Sequence, residues 1–553
     1  MSALWLGLWV VLLLYLDDMK FLEGTPRDQA VIYEGCLDNA IEPDNEVRVV
    51  DAFVHSLNLE EFGFKVHFAE NGRPAYRPTD LLKLFIYGYL NKIRSSRALE
   101  RECKRNIEIM WLLNELKPDH NTIANFRKNN PKAIKKVFRA TVQLAKHFNL
   151  IGAKLLAGDS TKLRAQNSKK NNFNQKKIDR HMAYIDNKLE QYYKALVEAD
   201  GDAEKQEEIK DNIDQQNKRK EQYKKIENEL EQTGQIQISL SDPDSRNIMI
   251  RNGITEVAYN VQSTVDAEHC IPIDYQVTNE NDAKAMGPML RRAKTILGNT
   301  HFTALFDTGY HTGSEFEIAH NLGIKTIVSP PSTSSTAPNP LYNVANFGFN
   351  EQTEAYTCPE GNTLTSNGSV YTKVVNGEEK GHFKRYSTDK CKTCPVVEQC
   401  TRSKHKKRYI ERNVFTPLYE ENLRRIQADF LLYKRRKAIV EHPFGTIKRS
   451  WGFDHIMTKQ FMHIAKADVG LIFCAYNLRR IINIIGINKL LETLKAGRLA
   501  ALNTLIYLLN ARLKPIQSFF RFLKRQTFNS SQFAFHLNNL ILFPKYKMNS
   551  TGF

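Results

Sequence analysis

Apolar residues between positions 50 and 150 recur at three- and four-residue spacing, a pattern that predicts helices. The predicted helices cover 79–93 and 95–116, and a third begins near Thr122 before Pro131 interrupts the pattern. Short helices joined by a tight polar turn are the outline of a helix-turn-helix. A helical bundle with a solvated basic face explains the same segment equally well.

From residue 150 onward, short apolar runs rich in β-branched residues alternate with helical periods. The predicted elements are, in chain order, a strand at 151–166, a hairpin at 256–279, a helix at 282–297, a strand at 301–309, a helix at 312–323 and a strand at 324–330. This order matches an α/β fold with an RNase H-like core, in which helices flank a mixed sheet.

Two polar stretches interrupt this core. Residues 169–234 are rich in Lys, Glu, Gln and Asn, and their apolar spacing predicts a helical hairpin that breaks at ADGDAE. We interpret the hairpin as a solvated arm without chemistry. Residues 331–412 contain Pro, Ser, Asn, Gly and clustered cysteines, which is typical of an inserted subdomain that is mainly β or irregular. A helix is expected to begin near Leu431 after it.

The composition is that of a globular protein with an excess of positive charge. The 553 residues are 42% hydrophobic and 25% charged, which excludes wholesale disorder, a collagen and a coiled-coil rod. The chain has 79 Lys and Arg against 61 Asp and Glu, a formal net charge of +18. Such a surplus favours a polyanionic partner, either nucleic acid or an anionic membrane.

The membrane-like segment of the chain is the apolar run at 4–16. At about 1.5 Å per residue this run is too short to span a hydrocarbon core of about 30 Å. No Lys or Arg precedes it, and Asp17 and Asp18 stand where a signal peptide would have small residues. We therefore expect residues 1–18 to be a non-native leader before a start at Met19, or at most a weak anchor.

Positive charge concentrates in the first helical segment and near the C-terminus. In the helical segment the charge is carried by residues that suit phosphate contact, namely Arg94, Arg97, Arg101, Lys104, Arg105, Arg127 and Lys128. Beyond residue 480, basic residues with interleaved phenylalanines suit either contact with a DNA backbone or docking onto the rest of the protein.

Three acids stand at matching positions of the predicted core. Asp159 lies on the first strand, Asp307 ends the fourth, and Glu441 lies on the helix after the second insertion. Phosphodiester cleavage by two metal ions needs carboxylates that converge from separate elements, and such oxygen donors suit magnesium. A lone acid at a strand end is usually a cap, but three in this order point to a divalent-metal site. We interpret the remaining candidate acids as structural, or as neighbours of the site at best: Asp242, Asp244, Asp266 and Asp282.

Four of the eight cysteines cluster in the second insertion. Cys391 and Cys394 have the two-residue spacing of a metal knuckle, Cys400 follows, and Cys358 could complete a site of four thiolates. This pattern predicts a structural zinc ion, with His405 as a spare ligand, and free thiols are the alternative. Eight cysteines in a chain of this length do not make a disulfide scaffold, so the pattern fits a reducing, cytosolic compartment.

The chain resembles bacterial insertion-sequence transposases of the DDE class, in the branch with a helical N-terminal domain before an RNase H-like catalytic domain. The resemblance runs from about Met19 to Arg480 and rests on the segments FLEGTPRDQ, YRPTDLLKLFIYGYL, PDHNTIANFRK, AGDSTK, SDPDSRNI, YNVQSTVD, FDTGY, VEHPFGTIKR and AYNLRR. It implies a helical DNA-binding domain at 19–149 and a catalytic domain at 150–480, followed by a basic tail at 481–553.

Related transposases carry a signature around the glutamate, with Tyr, two residues, Arg, three residues, Glu, six residues and Lys. Glu441 and Lys448 keep this spacing. Tyr433 and Arg436 are correctly spaced from each other but lie one residue too far from Glu441, and Lys437 occupies the arginine position. The resemblance implies that Lys448, together with Arg436 or Lys437, holds phosphates near the scissile bond.

The resemblance also implies the reaction and its partners. Double-stranded DNA would be cut at the terminal repeats of an element and joined to target DNA, with Asp159, Asp307 and Glu441 as a triad for two Mg²⁺ or Mn²⁺ ions. A homodimer would assemble the two ends in the bacterial cytoplasm at the nucleoid, with no membrane partner. The alternatives are a hydrolytic nuclease on the same scaffold, a decayed element that binds DNA without catalysis, and a membrane-attached protein.

Overall fold

The computed structural model describes residues 36–66, 75–251, 253–331, 337–375 and 378–496. The expectations for the leader 1–18 and for the tail beyond residue 496 lie outside these residues.

The N-terminal part of the described chain is helical, as predicted. Its helices are α1 (Glu46–His55), α2 (Leu59–Phe62), α3 (Pro78–Leu90), α4 (Ser96–Glu102), α5 (Ile107–Leu112), α6 (His120–Asn129) and α7 (Pro131–His147). The prediction of one helix over 95–116 is wrong, because the Asn106 side chain accepts hydrogen bonds from the backbone N–H groups of Glu108 and Ile109 and starts α5 as a separate helix.

The predicted helical arm follows the first strand of the central sheet. The elements of this region are β1 (Leu155–Arg164), β2 (Asn172–Phe173), α8 (Gln175–Glu198), α9 (Ala203–Thr233) and β3 (Ile238–Ser239). β2 and β3 pair at the base of the arm. Along the arm, α8 and α9 bury two small apolar clusters of their own, around Ile178 and Ile185.

The central sheet is mixed, and helices flank it. Its further strands and the helices between them are β4 (Arg246–Arg251), β5 (Ile254–Asp266), β6 (Ile271–Thr278), α10 (Met286–Leu297), β7 (Thr303–Phe306), α11 (Gly313–Asn321) and β8 (Lys325–Val328). The strand order is β4-β5-β1-β7-β8, and β6 also pairs with β5. β5 is antiparallel to β1, β4 and β6, whereas β1, β7 and β8 are parallel to one another.

The second insertion forms a sheet of its own. The five strands are β9 (Gly348–Asn350), β10 (Ala355–Thr357), β11 (Thr363–Val375), β12 (Glu378–Ser387) and β13 (Ile410–Asn413), with a short helix α12 (Val397–Cys400) before the last of them. Two helices, α13 (Thr416–Ala428) and α14 (Phe430–Gly445), then lead back to the central sheet, and a π-helical turn at Thr446–Ser450 extends α14.

The long helix α15 (Met462–Ile485) joins the N-terminal helices to the sheet. Phe138 of α7, Tyr275 of β6 and Phe473 of α15 stack with ring centroids 5.0 to 6.2 Å apart. Buried residues of the helical part, the sheet and α15 belong to one apolar cluster. The N-terminal helices therefore share a core with the sheet, which fixes their position relative to it.

Among the described residues, no single helix is long and apolar enough to cross a membrane, although α15 and the following helix Ile487–Ala496, bent by 109° at their junction, reach that length and composition together.

Candidate functional site

Two of the predicted acids lie side by side at one edge of the central sheet. β1 and β7 are parallel neighbours, with Leu156 opposite Ala304 and Ala157 opposite Leu305. Asp159 lies two residues after Ala157, and Asp307 lies two residues after Leu305. The two carboxylates therefore come from corresponding positions along neighbouring chain segments. Adjacent strands are about 4.8 Å apart, which brings these two negative charges close together.

Glycines allow the chain to fold tightly around both acids. A Cβ at Gly158 would stand 2.0 Å from the buried Phe306 ring, so a residue without a side chain is required for β7 to pack there. After Asp307, the Gly309 N–H donates a 2.9 Å hydrogen bond to the Asp307 carboxylate and closes a short 3-10 turn at Thr308–Tyr310.

Arg436 on α14 reaches the first of these acids. Its guanidinium donates to Asp159 Oδ2 over 2.9 Å, and both side chains are largely buried. Burial raises the pKa of Asp159, and the nearby Asp307 charge adds to the increase, whereas Arg436 opposes it. The arrangement therefore holds two carboxylates whose mutual repulsion a single arginine partly offsets.

A third acid, Asp282, completes the polar cluster beside these two. It accepts hydrogen bonds from Ser160 Oγ at 3.1 Å, Asn260 Nδ2 at 2.8 Å and Gln262 Nε2 at 2.6 Å. Burial opposes ionisation of Asp282, but Lys162, with its Nζ 3.4 Å away, and these hydrogen bonds outweigh burial and lower the pKa of the carboxyl. Asp282 is thus held as an anion next to the strand that carries Asp159.

Asp282, which the sequence predicts to be structural or at best a neighbour of the site, lies close to Asp307. A Cβ at Gly309 would stand 3.1 Å from Asp307 Oδ1 and 3.5 Å from Asp282 Cβ, so these two acids flank the same turn. The polar residues at 279–282, directly after β6, are the sequence feature that could have indicated a role for Asp282. The end of β6 lies near the ends of β1 and β7.

Glu441 does not join this group in the described structure. α14 packs Ile439 and Val440 against the sheet near Ala157 and Leu305, but the Glu441 side chain is 63% exposed and pairs with Lys437 on its own helix at 3.8 Å. Within the described chain, no group of three or more His, Cys, Asp or Glu side chains is arranged to hold a metal ion. The predicted triad is therefore not assembled as a closed set of ligands.

The residues of the predicted signature separate into two faces of α14. Arg436 points to Asp159, whereas Lys437 is 75% exposed and faces Glu441. Tyr433 is partly buried against the same apolar cluster that seats α14 on the sheet. On the π-helical turn, Lys448 Nζ donates to the Lys162 carbonyl over 3.1 Å, which brings a second cation to β1.

The structure corrects the expectation for Arg127. Its side chain is only 4% exposed, and it donates to the Tyr89 hydroxyl at 2.8 Å and pairs with the fully buried Asp468 of α15 at 3.4 Å. Arg94 is buried against the same aspartate. Both guanidinium groups therefore bind the N-terminal helices to α15 and are buried, while Lys128 remains exposed.

The other three candidate acids, Asp242, Asp244 and Asp266, make structural hydrogen bonds. Asp242 accepts from the Tyr259 hydroxyl at 2.7 Å. Asp244 accepts from the backbone N–H of Met462 at 2.7 Å, and Asp266 from that of Ala153 at 2.9 Å. Their structural interpretation agrees with these contacts.

The four clustered cysteines share one small cavity in the second insertion. Cys358, Cys391, Cys394 and Cys400 all line a space of about 20 Å³, together with Arg408. All four are free thiols of intermediate exposure. Burial raises the pKa of Cys400, Arg408 opposes this increase, and the other three cysteines add to it.

Two family models match parts of the chain. One, described as a transposase domain of the DUF772 type, matches residues 35–129, which carry the N-terminal helices. The other, described as a transposase DDE domain, matches residues 357–482, from the second insertion through α14 to α15. Neither the curated proteins nor the solved structures contain a match to this chain.

Proposed function

This chain is a DNA transposase of the DDE class, and we propose that Asp159 and Asp307 form the centre at which it cuts and joins DNA. The observation that carries the proposal is the position of these two acids on adjacent parallel strands, within reach of Arg436. Asp282 lies beside them, so the centre contains three carboxylates from three separate elements.

The strand order supports an RNase H-like assignment for the sheet. Three strands, β6, β5 and β1, are joined antiparallel, and β7 and β8 continue beside β1 in parallel. If β4 is left out as an addition, the strands of this sheet in chain order are β1, β5, β6, β7 and β8. Asp159 then lies on the first strand, and Asp307 follows the end of the fourth.

The donor set fits divalent metal ions. Carboxylate oxygens are the ligands that Mg²⁺ and Mn²⁺ prefer. Burial raises the pKa of Asp159 and the neighbouring Asp307 adds to the increase, although Arg436 opposes it, so a bound cation would further stabilise the ionised pair. Asp159 and Asp307 would hold the ions, and Glu441 would join them after its side chain leaves Lys437. When bound, two such ions supply charge stabilisation at the attacking and leaving oxygens of a phosphodiester.

The chain's own residues orient this chemistry. Arg436 fixes the Asp159 carboxylate, and Lys162 fixes Asp282. Lys448, held at the Lys162 carbonyl, places a positive charge where a DNA phosphate would enter. In the proposed reaction a water oxygen attacks phosphorus and the bond to the 3′ oxygen breaks, which frees a 3′-hydroxyl. That hydroxyl then attacks a target phosphodiester and displaces its 3′ oxygen.

DNA would approach over a basic groove at the N-terminal helices. A groove between α4 and the segment after the π-helical turn is lined by Lys92, Arg101, Arg105 and Trp451, among others. Cations with an aromatic side chain suit a nucleic-acid strand. We propose a homodimer as the assembly that brings two element ends together, with the terminal repeats and the target as double-stranded DNA.

The proposal is tested by cleavage and strand transfer on linear DNA that carries the element's own ends. Asp159→Asn and Asp307→Asn should each lower the rate of both steps by on the order of 10²- to 10³-fold, because several kcal/mol of charge stabilisation are lost. Asp211→Asn, an exposed acid on the helical arm, is the matched control. Full activity of either site variant contradicts the proposal.

Two further variants decide the third carboxylate. Glu441→Gln should abolish cleavage if Glu441 moves to the metal ions, whereas Asp282→Asn should have the larger effect if Asp282 takes that place. Products that are cut but never joined would identify a hydrolytic nuclease, and tight binding of the ends without any metal-dependent cutting would identify a DNA-binding protein without catalysis.

A further inference from the structure

We propose that Cys358, Cys391, Cys394 and Cys400 bind one zinc ion that stabilises the second insertion. The ion would be structural, and it would be separate from the divalent ions of the proposed catalytic centre. Four thiolates in tetrahedral arrangement are a common set of ligands for structural zinc, and such soft donors do not suit magnesium.

The size and lining of the cavity carry this inference. All four cysteines line a single space of about 20 Å³, which is little more than the room that one water-sized sphere occupies. The sulfur atoms are not yet arranged as a metal site in the described structure. Zinc binding would require rotation about the Cα–Cβ bonds of side chains that already line one cavity.

Cys358 lies in a tight turn whose backbone contacts its sulfur. Gly361 closes the turn with an N–H donated to the Cys358 carbonyl at 2.8 Å, and its φ of +76° is one that glycine adopts without strain. The next N–H, that of Asn362, donates to the Cys358 sulfur at 3.3 Å. This turn and its hydrogen bond hold the Cys358 sulfur in position at the cavity.

Two of the other cysteines, Cys391 and Cys394, lie in a second tight turn. Cys391 and Cys394 are joined by a 3.3 Å hydrogen bond from the Cys394 N–H to the Cys391 carbonyl. Cys400 follows at the end of the short helix α12 and packs, with Cys358, against the small core of the insertion. Two turns and one helix end therefore present four sulfur atoms to the same space.

The buried apolar cluster in the described part of the insertion is small. Among the described residues it has five members: Phe347, Tyr356, Leu364, Tyr386 and Ile410. Such a small core rarely stabilises a folded unit unless a metal ion or disulfides are added. Since the four cysteines are free thiols, a metal ion is the support that these residues can provide.

The surrounding charge suits the complex that would form. Zinc with four thiolates has a net charge of −2 by formal count. Arg408 lines the cavity, as does Glu360, and Lys390 lies on the neighbouring turn, where Lys392 and Lys407 pair with Asp389. These cations would offset the negative charge of the site.

The test is the zinc content of the full chain, purified under reducing conditions without chelator from zinc-supplemented cells. We expect about one zinc per chain by elemental mass spectrometry. The double variant Cys391→Ser with Cys394→Ser should retain less than about a tenth of this amount, since two of four ligands are lost. Cys36→Ser, which changes an exposed cysteine outside the cluster, should retain all of it, as should Asp159→Ala.

A spectroscopic titration covers the case in which the double variant fails to fold. Wild-type protein stripped of metal and titrated with Co²⁺ should develop sulfur-to-cobalt charge-transfer absorption that saturates at about one equivalent. His405→Ala should leave this absorption unchanged. Wild-type protein without stoichiometric zinc, a double variant that keeps its zinc, or cobalt binding without the sulfur signal would each overturn the proposal, and none of these results bears on DNA cleavage.

Discussion

Arg436 donates a 2.9 Å hydrogen bond from its guanidinium to the carboxylate of Asp159, joining α14 to the first strand of the central sheet. Its sequence neighbour Lys437 lies on the exposed side of the helix and faces Glu441. Arg436 and Lys437, either of which could take the arginine position of the transposase signature, therefore occupy different environments.

The first prediction separates these two cations. Arg436→Ala should lower the cleavage rate by about 10- to 100-fold, the usual cost of removing a group that orients a metal-binding carboxylate. Lys437→Ala, the matched control on the same helix, should change the rate by less than about threefold, because an exposed ion pair contributes little. Rates on end-bearing DNA at saturating Mg²⁺ measure both, and a larger loss for Lys437→Ala would contradict the assignment.

The second prediction concerns the adjacent pair Arg127 and Lys128. Lys128→Ala should weaken DNA binding uniformly across sequences and reduce the slope of log K against log salt by about 0.9, as expected for one lost phosphate contact. Binding isotherms between 50 and 200 mM salt measure this slope. Arg127→Ala should instead lower the free energy of unfolding by about 3 to 5 kcal/mol, because Asp468 is left buried without this partner. A folded Arg127→Ala protein with only a reduced slope would contradict the structure.

The third prediction concerns the close packing beneath the proposed centre. Gly158→Ala forces a methyl group into the Phe306 ring and should lower the free energy of unfolding by about 1 to 3 kcal/mol. Gly348→Ala, whose added carbon meets no atom within 4 Å, should change it by less than about 0.5 kcal/mol. Urea denaturation measures both. If adding Phe306→Leu to Gly158→Ala restores part of the lost free energy of unfolding, the steric contact between residues 158 and 306 is identified as the cause. Such non-additive effects on stability are found for residues that touch.

The fourth prediction is a pH dependence at the junction of α7 and β6. Lys135 Nζ lies 3.0 Å from Asp274 Oδ1, and burial lowers the pKa of Lys135 from 10.5 to about 8 although Asp274 opposes this decrease. Arg139 and Arg292 contact the same carboxylate. Between about pH 8 and pH 10.5, Lys135 is largely deprotonated in the folded chain but protonated in the unfolded chain. The unfolded chain therefore binds more protons, and the stability contributed by Lys135 rises with pH.

The measurement compares wild type with Lys135→Met at pH 8 and pH 10. The difference between their free energies of unfolding should shift by about 1 to 2 kcal/mol in favour of wild type over this interval. Lys224→Met, at an exposed position on the helical arm, corrects for general effects of alkaline pH and should show no shift. A difference that falls with pH would reverse the sign derived from burial.

Much of the fold could be predicted from local pattern. In the predicted arm at 169–234, the structure has the two helices α8 and α9, because the apolar residues follow a helical period and the break between the helices falls within ADGDAE. The helical N-terminal part, the mixed sheet and the transposase function are confirmed. The boundary between α4 and α5 was missed, since a single capping residue, Asn106, outweighed an otherwise continuous helical pattern.

The sequence by itself determined most of the elements, and it placed Asp159 on the first strand of the sheet and Asp307 at the end of a later one. Both positions follow from the spacing of apolar and polar residues along the chain. Only the tertiary structure decided which charges meet. Arg127 is buried while Lys128 is exposed, and Arg436 reaches Asp159 while Lys437 does not. Asp282 lies beside Asp307, whereas Glu441 stays outside with Lys437. The physical reason is that the direction of a side chain depends on which face of its helix or strand packs against elements distant in sequence, which local periodicity does not specify.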